Sequence, residues 1–71
     1  MRLTENERQQ IEIFAKETAR RRYLERNADA TDEDAIRFAH RFWRQKEFLD
    51  VGIEIVAIFR VMDENEAAPN N

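Results

Sequence analysis

The stretch DVGIEIVAIFRV, residues 50–61, decides how this chain is read. It is apolar at nearly every position, and past Asp50 its only charges are Glu54 and Arg60. A helix on the surface of a small protein is apolar on one side only. Here apolar residues are left over on the other sides, so something has to cover them. A β-strand competes for the same stretch, because Ile53, Ile55, Val56, Ile58 and Val61 are β-branched. No second strand is visible in the chain. A lone strand leaves its backbone groups unpaired unless it pairs with a copy of itself across a dimer. We therefore read residues 50–61 as a helix.

The surroundings favour the same reading. Gly and Pro occur once each, as Gly52 and Pro69, too few for the many turns of an all-β domain. LTENE, residues 3–7, opens a first helix: Thr4 caps it and Glu7, three residues on, bonds back in a capping box. The helix runs without a breaker to NADA, residues 27–30, where Asn and Asp favour a turn. TDED, residues 31–34, repeats the start signal, with Thr31 as cap and three acids suited to the positive helix end. Arg44 and Lys46 suit the opposite end of that second helix. The chain then bends at Phe48–Asp50, with Asp50 capping the third helix. The alternative, one continuous helix from 32 to 64 with Gly52 inside it, would be about 50 Å long and would outrun its partners.

The fold expected is all-α, with helices at about 4–27, 32–46 and 50–64: a helical hairpin plus a mostly apolar third helix. Residues 1–64 form a single helical domain. NEAAPNN, residues 65–71, is polar, ends in Pro and two Asn, and reads as a flexible tail.

Length makes the leftover apolar residues important. A chain of 71 residues is one domain at most. A single core of this size supplies about 3–5 kcal/mol, and disulfides, a metal or a partner chain usually supplement it. There is no cysteine and only one histidine, His40, which excludes disulfides, thiolate sites and His-rich metal sites. A partner chain is what remains. Charged residues at 38% and hydrophobic residues at 42% place the chain among charged helical domains rather than disordered ones. The start lacks the apolar core of a signal peptide, and no apolar run approaches the ~18 residues of a membrane span. A soluble, cytoplasmic protein with no membrane partner is expected.

Helical spacing sorts the side chains into faces. The first helix gathers Ile11, Phe14, Ala15, Thr18, Ala19 and Tyr23, with Arg22 among them, its stem packing and its head reaching water. Ile13 and Leu24 fall on the opposite side, beside Arg20. The second helix gathers Ala35, Phe38, Ala39 and Phe42, and Leu49 if it extends that far, with Ile36 and Trp43 on a flank. The third offers Phe48, Val51, Ile55, Ile58, Phe59 and Met62 to the core. Ile53, Val56, Ala57 and Val61 are left over. A leftover patch of this kind marks an interaction surface, most economically a symmetric homodimer. The interface expected comprises Ile13, Leu24, Ile53, Val56 and Val61.

Chemistry is sparse. In RRRYLER, residues 20–26, consecutive arginines point about 100° apart and make no single patch. IRFAHRFWR, residues 36–44, is better organised. Arg37, His40, Arg41 and Arg44 share the outer side of the second helix beside Trp43, an arrangement that could hold phosphates and stack a base. Against this stand the net charge of −3 and the five acids against one Arg that follow Leu49. Whether the stripe is paired with carboxylates or stands free discriminates the two uses. His40 has no second histidine for a triad or zinc site, and Arg37 sits where a helical carboxylate–histidine metal motif needs Glu. No catalytic residue, metal or cofactor is assigned.

The function expected is that of a small, non-enzymatic interaction protein of the accessory or inhibitor type. It would act by protein–protein binding as a homodimer, and another protein could also serve as partner. The alternative is a dimeric nucleic-acid-associated regulator that uses the stripe Arg37, His40, Arg41 and Arg44.

Overall fold

The computed structural model describes residues 2–67. Helices cover 83% of these residues and no strand occurs among them. The order is α1 (Glu5–Arg26), α2 (Asp32–Phe42) and α3 (Lys46–Ala67). The stretch 50–61 is therefore helical throughout.

Both capped starts form. Thr4 Oγ1 accepts from the Glu7 N–H at 3.1 Å, and the Glu7 carboxylate accepts from the Thr4 N–H at 3.0 Å. Thr31 and Asp34 make the same reciprocal pair at 3.1 and 3.2 Å. Each box satisfies two of the donors that a helix start leaves open. At the other end of α1 the Asn27 side chain donates to the Tyr23 carbonyl at 2.9 Å, and the chain turns through an Ala30 N–H to Asn27 carbonyl bond.

The boundary between α2 and α3 differs from the expected one. The chain turns at Trp43–Gln45 rather than at Phe48–Asp50, so α2 ends four residues early and α3 begins at Lys46. The Gln45 carbonyl accepts from the Leu49 N–H at 2.9 Å, the first i→i+4 bond of α3. Asp50 is not a cap. It lies inside the helix, 2.5 Å from Lys46, the residue four positions earlier. Helix α3 also continues past Glu64 through Ala67, so residues 65–67 of the expected tail are helical, and 68–71 lie outside the described residues.

Helix α1 is the hub. Helices α2 and α3 both pack against it and do not pack their backbones on each other. Ion pairs mark the register. Arg20 of α1 meets Asp32 of α2 at 2.7 Å. Arg26 and Arg22 share Glu47 of α3 at 2.5 and 3.2 Å, and near the other end of α1 the Arg60 guanidinium grips Glu7, its Nε 2.7 Å from the carboxylate. Helix α3 is thus antiparallel to α1 along most of its length. Exposed pairs contribute little each, so their use here is in fixing which turn faces which.

The core is small and made mainly of small residues. Its buried members are Ile11, Ala15, Ala19, Ala35, Ala39, Phe48 and Val56. On α1, Ile11, Ala15 and Ala19 are spaced by four; on α3, Phe48, Gly52 and Val56 are too, so two i±4n ridges meet. The face of α3 that meets α1 is therefore not the expected one. Of the stripe Phe48, Val51, Ile55, Ile58, Phe59 and Met62, only Phe48 is buried, while Val56, expected to be left over, is 3% exposed. Gly52 explains the difference: it lets the α3 backbone lie directly on α1, which turns the helix toward its small-residue side.

The result is a thin molecule. Its radius of gyration is 15.0 Å and its extents are 54 × 21 × 17 Å. A compact chain of this length would have a radius of gyration of about 11 Å.

Candidate interaction surface

The rotation of α3 exposes the residues that the sequence offers to its core. Val51, Ile55, Ile58 and Met62 are spaced four, three and four apart, the interval at which one helix presents a seam to another. Val51 and Ile55 are half-buried, whereas Ile58 is 53% and Met62 51% exposed. Beside them Phe59 leans on Phe14 of α1, with ring centroids 5.6 Å apart.

Phe14 lines a groove of about 450 Å³ between α1 and α2 whose other apolar walls are Ile13, Ile36 and Ala39. Ile13 is 61% exposed and Ile36 is 53% exposed. Exposed apolar residues therefore occur on all three helices, Ile36 on α2, Ile13 on α1 and Phe59, Ile58 and Met62 on α3. Lys16, Glu17, Arg20 and His40 form the polar part of the groove lining.

The five residues expected at an interface are distributed unevenly. Ile13 is exposed on the α1–α2 groove. Val61 lines a shallow depression on α3 with Glu54, Ala57, Ile58 and Met62. Ile53 is exposed but lines a different groove, with Leu3, Trp43 and Leu49. Leu24 is half-buried near the end of α1, and Val56 is in the core. Sequence reasoning assigned Ile55, Ile58, Phe59 and Met62 to the interior. Their heptad-like interval was the signal for a second use, and only knowledge of how closely α3 approaches α1 separates the two.

The basic stripe is only partly kept: Arg37 and Arg41 are exposed on α2, His40 is exposed at the α1–α2 groove, and Arg44 is exposed in the turn that follows α2. Arg37 holds Glu33 loosely at 3.7 Å. Among the described residues Arg41, Arg44 and His40 have no carboxylate within 4.0 Å. Instead the Arg41 guanidinium lies 5.5 Å from the Phe42 ring centroid and that of Arg44 lies 4.8 Å from Trp43. The arginines of α1 behave oppositely. Arg20 is held by Glu17 and Asp32, Arg21 by Glu17, and Arg22 and Arg26 by Glu47, so RRRYLER splits between two neighbours. Hydrogen bonds from Arg20, then Arg21, pull the Glu17 pKa down to about 2, and those from Arg26 lower that of Glu47.

On α3 the carboxylates Glu54, Asp63, Glu64 and Glu66 are exposed and have no cation within 4.0 Å among the described residues. Cations without a carboxylate within 4.0 Å thus sit at the end of α2 and in the turn after it, Arg41 and Arg44, and acids without a cation on α3. No group of three or more His, Asp or Glu side chains among the described residues could hold a metal ion, and no described helix is long and apolar enough to cross a membrane. Comparison with known proteins finds no matching family model, curated protein or solved structure.

Proposed function

We propose that this chain is a small, non-enzymatic interaction protein of the accessory or inhibitor type. It acts by protein–protein binding in the cytoplasm, and a second copy of itself is the first partner. One observation carries the proposal: large apolar side chains stand exposed on all three helices, Ile13 on α1, Ile36 on α2 and Ile53, Ile58, Phe59, Val61 and Met62 on α3. Clusters of exposed apolar residues mark interaction surfaces.

Burying one large apolar side chain contributes about 1.5–3 kcal/mol, similar to the whole margin of so small a core, so association would stabilise the fold itself. The absence of cysteine suits a reducing compartment.

Sedimentation equilibrium on the parent and on Ile58→Asp tests the proposal. Ile58 is exposed, so a charge there spares the core, whereas Val56 cannot report on association without disturbing packing. The parent should be dimeric and the variant a folded monomer. A parent that stays monomeric at about 100 μM overturns the homodimer.

A second use is kept on one observation, Arg41 over Phe42 and Arg44 over Trp43, neither with a carboxylate within 4.0 Å among the described residues. Cations free of carboxylates, next to an aromatic ring, suit nucleic-acid phosphates and bases. The net charge of −3 and the four unpaired acids of α3 weigh against it.

A further inference from the structure

We infer that α2 and α3 can straighten at Trp43–Gln45 into one helix, so that two copies exchange α3 and each lays it on the other's α1. The inference is independent of the exposed apolar residues that carry the homodimer proposed above, because it uses contacts already made within one chain.

The turn between α2 and α3 points to it. Both other helix starts carry a capping box, Thr4 with Glu7 and Thr31 with Asp34. The start of α3 has none: the residue before it is Gln45, and no side chain among the described residues accepts from its first amides. The Gln45 N–H reaches the Phe42 carbonyl at 3.0 Å, whereas the amides of Arg44, Lys46 and Glu47 meet no backbone carbonyl among the described residues.

Nothing in the sequence of the turn holds the bend. Trp43, Arg44 and Gln45 include no Gly, Pro, Asn or Asp, the usual turn formers. Trp43 already has helical dihedrals, φ −60° and ψ −22°, and no non-Gly residue among those described has a positive φ. Arg, Gln, Lys and Glu are good helix formers. A continuous helix would give the Arg44, Lys46 and Glu47 amides the carbonyls of His40, Phe42 and Trp43, four residues back. What keeps the bend is the docking of α3 on α1.

A second copy can supply that docking. Helices α2 and α3 each pack on α1 and share no backbone contact. After exchange, α1 and α2 stay together within a chain, with Arg20 on Asp32. Gly52 against Ile11, Arg60 on Glu7, Glu47 on Arg22 and Arg26, and Phe48 beside Phe38 re-form between chains. The exchange keeps this packing, gains amide partners at both turns, and closes at two chains about a two-fold axis. Because α3 has to leave α1 first, it is slow in both directions.

The test uses the full chain carrying Ile58→Asp, which removes association through the exposed apolar residues. It is warmed to its melting midpoint at about 1 mM and cooled, and size exclusion should yield a monomer and a dimer that persists on dilution. Glu7→Cys and Arg60→Cys place the chain's only thiols on either side of the α1–α3 contact, and a short bis-maleimide joins them. In the dimer the link should run between chains, and in the monomer it should stay within one. Lys46→Pro supplies a second arm. Proline suits the first position of a helix, where the amide is unused, but breaks a helix interior. It should preserve the monomer's circular dichroism and cut the dimer yield at least about tenfold.

A persistent dimer whose links stay within chains, or one that a folded Lys46→Pro chain forms undiminished, would overturn the exchange. The linkage pattern decides even where Lys46→Pro fails to fold. No dimer from the Ile58→Asp chain after warming would overturn the exchange without touching the homodimer, which the unsubstituted chain reports. A parent that is monomeric before warming would overturn that homodimer and leave the exchange standing.

Discussion

Gly52 lies against the carbonyl oxygen of Ile11, so close that a methyl group on it would sit 2.7 Å from that oxygen and 3.2 Å from the Ala15 nitrogen. Both neighbours are backbone atoms of α1 and cannot swing aside. Gly52 is where α3 touches α1, and it sets which face of α3 is buried. In an exposed helix interior, Gly→Ala would stabilise by about 1 kcal/mol. Here the helices must part, and overpacking of this kind costs about 1–3 kcal/mol. Gly52→Ala should therefore lower the melting temperature and Gly52→Val should lower it further. A higher melting temperature for Gly52→Ala would mean that the helices are not in this contact.

Phe48 and Ile58 should respond in opposite ways. Phe48 is 1% exposed and packs among Ala15, Ala19 and Ala39. Phe→Ala in a core costs about 3–5 kcal/mol, which equals the margin expected of a chain this size. Phe48→Ala should be largely unfolded at 25 °C. Ile58→Ala should leave the monomer's circular dichroism unchanged and act only on association. Chemical denaturation at low protein concentration separates them, and equal loss of stability in both would place Ile58 in the core.

The contrast shows what sequence could and could not convey. The helix starts were legible because a capping box is written in two residues three apart, and Thr4–Glu7 and Thr31–Asp34 both form. The turn at Trp43–Gln45 was not, because an aromatic, a cation and an amide carry no turn signal, while Asp50 and Gly52 further on do. The buried face of α3 was hidden for a related reason. Hydrophobic periodicity counts side chains, and the closest contact is made by a residue without one. The apolar seam 51–55–58–62 was visible, but its interval describes equally a helix facing its own core and one facing a partner.

The Glu7–Arg60 clasp should give stability an acid-sensitive component. The Glu7 pKa falls from 4.5 to about 2, chiefly through hydrogen bonds from Arg60 and then from the Thr4 N–H. A carboxyl whose folded pKa lies below its unfolded one stabilises fully above the unfolded value, and that stability disappears as pH falls through the folded one. Denaturation midpoints should thus drop between about pH 4.5 and 2 in the parent. Arg60→Gln should drop less over the same window, because Glu7 then keeps only its Thr4 bonds. Glu17, held near 2 by Arg20, contributes equally to both proteins and cancels. Identical acid profiles would show that the clasp does not persist in solution.

Salt dependence distinguishes the uses of α2. Three arginines, Arg37, Arg41 and Arg44, could neutralise three phosphates of duplex DNA. Counterion release then gives a slope of about −0.9 per phosphate in log affinity against log salt, so raising salt from about 50 to 200 mM would weaken binding about forty-fold. Unpaired acids on α3 repel the same polyanion, and little binding is expected even at the lower salt. Titration of labelled duplex with the parent and with Arg41→Glu tests this. Arg41 lies further from the groove than His40 around the α2 helix, so its reversal should leave self-association nearly intact. Tight binding at about 50 mM that shows the three-phosphate slope and vanishes in Arg41→Glu would make nucleic acid the primary ligand of this helix.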